Sequence, residues 1–299
     1  MRLLQFFVPD KGPRAGVVQG PRVIDLTALN PALNSVLTIF LAADEEDILL
    51  TDFIARQLIG REYTAYPFEE LDIRPNPDKP HLLMPIFPPE VWAFGVTYQR
   101  SAAVRAEDSA SNIYDRVYAS ERPEVFFKGT TTRCTGPNDF IGIRSDSDLT
   151  AAEPELAYIL GLEGGILGFT ICNDVSAWDL ERENPLYLPQ SKIFEGGCAL
   201  GPVIVTPDEL SNPYNLSVTC QISRAGKVIF EGETHTSKLN RKLEELNHYL
   251  CLHNPVPFGS VVSTGTGIMI PNEHHLAEGD VVDIEIEMIG VLRNYARRL

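Results

Sequence analysis

The amino-acid sequence predicts an α+β fold in which β-strands dominate, with a small N-terminal domain followed by a large strand-rich domain. Short β-prone runs bounded by Gly, Pro or Asp recur along the 299 residues. Few stretches have the apolar spacing of a helix, which argues against a doubly wound parallel sheet. A proline-rich passage at residues 74–80 places a domain boundary near residue 75.

The N-terminal domain, residues 1–75, combines strands with one clear helix. Its β-prone runs cover residues 3–8, 15–18 and 22–26. Apolar residues at helical spacing predict a helix from about Asp47 to Ile59. The prolines that follow suit an extended connection to the second domain.

The second domain, residues 76–299, is predicted to consist mostly of strands. Its β-prone runs cover residues 91–96, 125–128, 140–144 and 156–160, and residues 216–222 and 228–230 flank a hairpin turn. Apolar and acidic residues alternate over residues 281–287, which predicts a strand with one solvated face. Two helices are expected, at about residues 102–118 and 237–252.

Composition disfavours several functional classes. The formal net charge of −16 argues against binding to a nucleic-acid backbone. Five scattered cysteines without a Cys-x-x-Cys pair predict neither a disulfide framework nor a structural zinc site. No window approaches the roughly 20 apolar residues of a membrane span. We therefore expect a cytoplasmic protein with neither a membrane nor a nucleic acid as partner.

Three carboxylates form a candidate metal site. Glu153 and Glu155 begin an apolar run two residues apart, so on a strand they point to the same face and repel unless a cation lies between them. Asp174 follows the next apolar run, where a neighbouring strand can bring it to the pair. Three oxygen ligands favour Mg²⁺, with Mn²⁺ or Ca²⁺ as alternatives, over zinc. From spacing alone, a solvated acidic strand face is the commoner explanation.

Three further positions carry side chains or backbone groups suited to chemistry. Lys192 sits in a loop bounded by Pro and Gly and is a candidate base or carboxylate ligand, with a surface lysine as the alternative. Glu124 lies where an apolar strand begins. It is a candidate general acid or base, with a salt-bridged residue at the sheet edge as the alternative. Gly265 lies in a Ser-Thr-Gly-Thr-Gly turn that can present N–H groups to an anion or serve as a plain tight turn.

Taken together, these motifs resemble the fumarylacetoacetate hydrolase superfamily over about residues 90 to 299. The motifs occur in the order in which the superfamily carries them: Glu-Pro-Glu-Leu at 153–156, Gly-Phe-Thr-Ile-x-Asn-Asp-Val-Ser-Ala at 168–177, the Lys192 loop, Thr-Gly-Thr at 264–266 and the C-terminal strand pattern at 280–294. An ordered set of five motifs is far more specific than any one of them. The resemblance outweighs the solvated-face explanation of the three carboxylates.

Residues 122–128, 144–147 and 183–192 resemble one branch of that superfamily, the dehydratases of 2-keto-3-deoxy sugar acids. This resemblance implies a mixed β-roll fold, a homodimer or homotetramer, and Mg²⁺ held by Glu153, Glu155 and Asp174. It further implies that Lys192 and Thr266 contact the substrate, and Lys192 and Glu124 are our candidates for the catalytic residues. The substrate contacts are then expected from Lys192, Thr266, Gly265, Tyr98, Trp178 and Glu181.

The implied reaction is dehydration of a small 2-keto acid such as 2-keto-3-deoxy-D-arabinonate to 2,5-dioxopentanoate. A C–C bond hydrolase or a 2-keto acid decarboxylase on the same metal site is the alternative. Ser101 stands where C–C-cleaving members usually carry a catalytic histidine, which favours dehydration. Trp178 replaces an arginine that commonly follows the metal aspartate, and this replacement leaves the identity of the keto acid open.

Overall fold

A computed structural model describes residues 1–99 and 113–299, and a twelve-stranded mixed sheet forms its centre. Within these ranges the strands are β1 Arg2–Val8, β2 Gly12–Gln19, β3 Arg22–Asp25, β4 Ala65–Pro67, β5 His81–Leu82, β6 Val91–Gly95, β7 Glu124–Gly129, β8 Cys134–Thr135, β9 Phe140–Ile143, β10 Thr150–Ala151, β11 Pro154–Leu160, β12 Ile166–Asp174, β13 Ser176–Ala177, β14 Cys198–Val205, β15 Ser217–Arg224, β16 Lys227–His235, β17 Val261–Ser263, β18 Val281–Ile286 and β19 Gly290–Arg298.

The helices are short. They are α1 Leu26–Leu29, α2 Val36–Glu45, α3 Leu50–Leu58, α4 Phe68–Leu71, α5 Ile113–Ala119, α6 Trp178–Glu183, α7 Leu188–Lys192 and α8 Leu243–Cys251. None of the helices in the described ranges is long and apolar enough to cross a membrane.

The large sheet runs β4-β3-β2-β1-β14-β12-β11-β17-β6-β7, with β5 beside β1 and β8 beside β14. Most neighbours are antiparallel, but β17 pairs with β6 in parallel, as β14 does with β8. A second, five-stranded sheet runs β16-β15-β18-β19-β9. The sheet order places β11 and β12 near the middle of the large sheet, where both faces are covered.

Two apolar clusters cover the two faces of β11. Leu156 and Tyr158 point into a cluster shared with the five-stranded sheet, including Ile222 and Ile284. Ala157 and Ile159 point to the other face, where the N-terminal helices α2 and α3 pack. Because both faces are buried, residues 156–160 of β11 form a continuous apolar run and not an alternating one.

The strand-dominated α+β prediction is confirmed. The helix expected at 47–59 is α3, whereas the C-terminal helix begins at Leu243 and not near residue 237, because residues 236–238 form a 3₁₀ turn. The helix expected at 102–118 is present from Ile113, and residues 100–112 lie outside the described ranges. The boundary near residue 75 stays a prediction. The large sheet continues across it, since β1 pairs with β14.

Candidate metal centre and active site

Strand pairing brings the three predicted carboxylates together. Glu155 lies on β11, and Asp174 ends the neighbouring β12. The register pairs Pro154 with Asn173, and the Asp174 N–H donates to the Glu153 carbonyl over 3.0 Å. One carboxylate oxygen from each of Glu153, Glu155 and Asp174 lies within 4.8 Å of the other two. All three residues are buried, with at most 2% exposure.

The electrostatics of the cluster fit a bound cation. Burial is the largest cause that raises the pKa of Glu155, the charges of Asp174 and Glu153 also raise it, and the resulting pKa is about 8. Burying three carboxylates side by side is unfavourable unless positive charge offsets it. An all-oxygen donor set suits a hard divalent cation such as Mg²⁺.

The turn after β17 fixes the Glu155 carboxylate. Glu155 Oε2 accepts a hydrogen bond from Ser263 Oγ at 2.5 Å and another from the Gly265 N–H at 2.9 Å. Gly265 has φ +92°, and a Cβ atom there would lie 2.1 Å from Thr97 Oγ1. Only glycine therefore allows this turn to approach Glu155 so closely.

The other two carboxylates are held by side chains from several elements. Glu153 Oε1 accepts a hydrogen bond from Trp178 Nε1 at 2.7 Å. Asp174 Oδ1 lies 2.6 Å from Lys128 Nζ, which also donates to the Val175 carbonyl over 2.8 Å. The cluster is thus fixed from β7 and α6 as well as from its own strands.

Lys192 is a buried residue of the cluster, so the surface-lysine alternative is excluded. It ends α7 and is 2% exposed. Its Nζ donates to Asp174 Oδ2 over 2.9 Å and to Ser176 Oγ over 2.6 Å, and it lies 3.2 Å from Glu153 Oε1. The ammonium group thus bridges two of the three metal carboxylates.

Glu124 faces the same cavity from the start of β7. A Cβ atom on Gly95 would lie 2.0 Å from Glu124 Oε2, so the carboxylate occupies the space that this glycine leaves. The cavity between these side chains is narrow, with a volume of about 10 Å³, which is room for about one water molecule. Its described lining is Phe94, Gly95, Val96, Glu124, Phe126, Glu153, Glu155, Asp174, Leu188, Lys192, Gly265 and Thr266.

Only some of the remaining predicted substrate contacts line this cavity. Thr266 lines it and is 3% exposed. Tyr98 is buried beside Gly267, and burial together with the Glu155 charge raises the pKa of its phenol. Trp178 and Glu181 are buried on α6 and do not belong to the described lining. Ser101 lies outside the described residues.

Lys128 was not singled out from the sequence as a site residue, although its strand carried a usable signal. Glu124, Phe126 and Lys128 alternate along β7, so they share one face. Phe126 and Glu124 line the cavity, and Lys128 contacts Asp174. A lysine that continues the inward face of an apolar strand requires a buried acid as partner. Ser263 belongs to the Ser-Thr-Gly-Thr-Gly turn that the sequence indicated as a possible anion contact, but the sequence did not identify Glu155 as its partner.

Comparison with known proteins places this site in a family. Residues 90–297 match the model of the fumarylacetoacetate (FAA) hydrolase C-terminal domain. The chain is 46% identical over 242 residues to the 2-dehydro-3-deoxy-D-arabinonate dehydratase of Saccharolobus solfataricus, covering 79% of this chain and 81% of that protein. It is 45% identical over 215 residues to a probable 2-keto-3-deoxyxylonate dehydratase of Haloferax volcanii, covering 72% and 74%.

The structural comparison extends over the whole chain. The fold is similar to a solved structure of 2-keto-3-deoxy-D-arabinonate dehydratase in complex with magnesium and 2,5-dioxopentanoate. The TM-score is 0.84 at 38% identity, with 100% of this chain and 99% of that chain covered. The similarity therefore includes the N-terminal region, which the family model does not match.

Proposed function

We propose that this chain, which belongs to the fumarylacetoacetate hydrolase family, is a magnesium-dependent dehydratase of a 2-keto-3-deoxy sugar acid. The proposed reaction converts 2-keto-3-deoxy-D-arabinonate into 2,5-dioxopentanoate and water. The observation that carries the proposal is the convergence of three buried carboxylates, Lys192 and Glu124 on one small cavity. The dehydratase relatives and the magnesium-bound structural relative support it.

Glu153, Glu155 and Asp174 are the proposed ligands of Mg²⁺, and Mn²⁺ or Ca²⁺ fits the same donors. When bound, the cation supplies a Lewis acid beside the keto group of the substrate. Ser263 and the Gly265 N–H orient Glu155, while Lys128 orients Asp174. Such partners of the ligands keep the three carboxylates in one arrangement.

Lys192 and Glu124 are the proposed catalytic residues. One of them takes a proton from C3 of the substrate, and the other gives a proton to the C4 hydroxyl, which leaves as water. The resulting double bond then shifts as a proton passes from C5 to C3, and the enol tautomerises to the 5-aldehyde. We assign Lys192 to C3 and the keto oxygen, and Glu124 to the departing hydroxyl. In the alternative assignment, Glu124 takes the proton from C3 and the Lys192 ammonium donates to the departing hydroxyl.

The other substrate contacts are assigned to the turn and the walls around the cavity. Thr266 and Gly265 line the cavity beside Glu155 and suit a carboxylate or hydroxyl of the substrate. Tyr98 completes the proposed set, whereas Trp178 and Glu181, which the sequence also suggested, lie outside the described lining of the cavity.

Product analysis tests the proposal directly. The protein, first treated with a chelator and then supplied with Mg²⁺, is incubated with 2-keto-3-deoxy sugar acids and with acylpyruvates, and the products are identified by mass. We expect one organic product, lighter than the sugar acid by one water, only when Mg²⁺ is present. Two acids would instead indicate a C–C hydrolase, loss of CO₂ a decarboxylase, and metal binding without any turnover a non-catalytic protein.

The expected assembly and location also belong to the proposal. We propose a homodimer or homotetramer in the cytoplasm that takes a small 2-keto acid as its partner. Light scattering coupled to gel filtration measures the assembly, and a monomeric mass at working concentration contradicts it.

A further inference from the structure

A tryptophan lies directly behind one of the proposed metal ligands. Trp178 begins α6, and its backbone N–H donates to the Leu149 carbonyl over 2.9 Å. Its side chain is 4% exposed, and its Nε1–H donates to Glu153 Oε1 over 2.7 Å. The indole does not belong to the described lining of the cavity. Among the described residues, Trp178 therefore touches the ligand and not the space where substrate binds.

The contact is suited to holding a carboxylate still. An indole N–H is a donor only and carries no charge at any pH. Glu153 Oε1 also lies 3.2 Å from Lys192 Nζ, so two donors from different helices converge on this one oxygen. With Oε1 fixed in this way, rotation of the carboxylate is restricted. The orientation of Glu153 toward Glu155 and Asp174 is thereby set before a cation arrives.

The neutrality of the indole also matters for the charge of the centre. In the described residues, the three carboxylates face two buried ammonium groups, those of Lys128 and Lys192. When all three carboxylates are ionised, these five groups carry one net negative charge that attracts a cation. A cationic donor at position 178 would cancel that charge, whereas tryptophan supplies the same hydrogen bond without competing with the metal.

We propose that Trp178 is a positioning residue of the metal centre, whose indole N–H fixes the Glu153 carboxylate in its cation-binding orientation without adding positive charge. The inference rests on the proposed metal centre but not on the identity of the keto acid. It assigns Trp178 an effect on metal affinity that is measurable without substrate.

The first test measures the dissociation constant of Mn²⁺ by calorimetry in wild type and in Trp178→Phe, which keeps an aromatic ring but removes the donor. We expect Mn²⁺ binding to weaken by about 10-fold to 100-fold, as when other partners of metal ligands are removed. Trp92→Phe is the matched control, because the Trp92 Nε1–H donates to a different carboxylate, Glu90, over 2.8 Å. Its Mn²⁺ affinity is expected to equal that of wild type.

The second test is spectroscopic. Its main variant leaves position 178 unchanged, and Trp178→Phe serves as the reference. The chain has two tryptophans, so Trp92→Phe leaves Trp178 as the only indole emitter. Saturating Mg²⁺ is expected to change the emission of Trp92→Phe, because the acceptor of its N–H becomes a metal ligand. The emission of Trp178→Phe is expected to stay constant.

Either of two results overturns the inference: an unchanged Mn²⁺ affinity in Trp178→Phe, or unchanged emission of Trp92→Phe at saturating Mg²⁺. If Trp178→Phe fails to fold, the emission titration of Trp92→Phe decides alone. A wild type that binds no Mn²⁺ at all refutes the metal centre itself, and the proposed function with it, which is a separate outcome.

Discussion

At the scale of single residues, the surroundings of Lys192 limit what its side chain can do. Its ammonium contacts Asp174, Glu153 and Ser176 and is almost wholly buried. A buried charge is tolerated when paired and hydrogen-bonded in this way. In the proposed mechanism the same group lies beside the substrate as well as beside the carboxylates, so we expect its removal to affect proton transfer more than packing.

We expect Lys192→Ala to lower kcat by about 10²-fold to 10⁴-fold, the usual contribution of a group that transfers a proton. Steady-state kinetics at saturating Mg²⁺ measure this loss, and circular dichroism checks that the fold is kept. Lys227→Ala, at the exposed first residue of β16, is the control and should retain full activity. An unchanged kcat in Lys192→Ala removes Lys192 from the chemistry.

The raised pKa of Glu155 makes stability depend on pH when no metal is bound. The folded-state pKa, about 8, exceeds the ordinary value of 4.5, so folding favours the protonated carboxyl. The stability that Glu155 contributes is thus complete below about pH 4.5 and is lost as pH rises through about 8. We expect the free energy of unfolding of the metal-free protein to fall over this range.

Urea titrations in a chelator, between about pH 5 and about pH 9, measure that fall. In Glu155→Gln the decrease should be smaller, because this side chain no longer ionises. Added Mg²⁺ should reverse the trend in wild type, since the cation favours the ionised carboxylate. If the free energy of unfolding falls equally steeply with pH in wild type and in Glu155→Gln, the pH dependence does not come from Glu155.

At the scale of elements, the turn after β17 connects a strand to the metal centre. Gly265 combines a positive φ with an N–H donated to Glu155 and with close contact to Thr97. Gly226, in the β15–β16 hairpin, also has a positive φ, +75°, but an added Cβ there would meet nothing within 4 Å. The two glycines thus share a backbone requirement and differ in their surroundings.

We expect Gly265→Ala and Gly226→Ala both to lose about 1–2 kcal/mol of stability from backbone strain. Gly265→Ala should lose more, and it alone should weaken Mn²⁺ binding, because the turn must move away from Glu155. Thermal unfolding and Mn²⁺ calorimetry measure the two effects. Equal Mn²⁺ affinity in the two variants is the contrary result.

The elements that could be predicted from sequence are those with a periodic pattern. The alternation in β18 and the apolar spacing in α3 each identify their element. The helices α6 and α7 have six and five residues, too few for a helical period to emerge. The stretch that contains α7 was interpreted as a loop, and no element was predicted at α6. The two helices nevertheless carry Trp178 and Lys192. The grouping of the three carboxylates was predicted correctly. The contacts of Lys128 and Ser263 with those carboxylates depend on strand register and were not predicted.

At the scale of the whole molecule, the N-terminal region forms part of the sheet that carries the metal centre. Strand β1 pairs with β14, which pairs with β12, the strand that ends in Asp174. The buried ring of Phe6 on β1 belongs to the same apolar cluster as Leu156 of β11. Covalent continuity, hydrogen bonding and packing thus couple residues 1–75 to the active-site strands.

We therefore expect the chain to unfold as one unit, although its sequence indicates two domains. Phe6→Ala should cost about 3–5 kcal/mol, the usual loss for a truncated buried aromatic side chain. Both tryptophans, Trp92 and Trp178, lie beyond residue 75, so their fluorescence reports on the large region alone. If the regions are coupled, Phe6→Ala shifts the fluorescence transition in urea to lower concentration.

Leu49→Ala, at a side chain 72% exposed, is the control and should leave the transition in place. A fluorescence midpoint equal to that of wild type in Phe6→Ala, beside an early loss of circular dichroism, would mean that the N-terminal region unfolds independently of the metal centre.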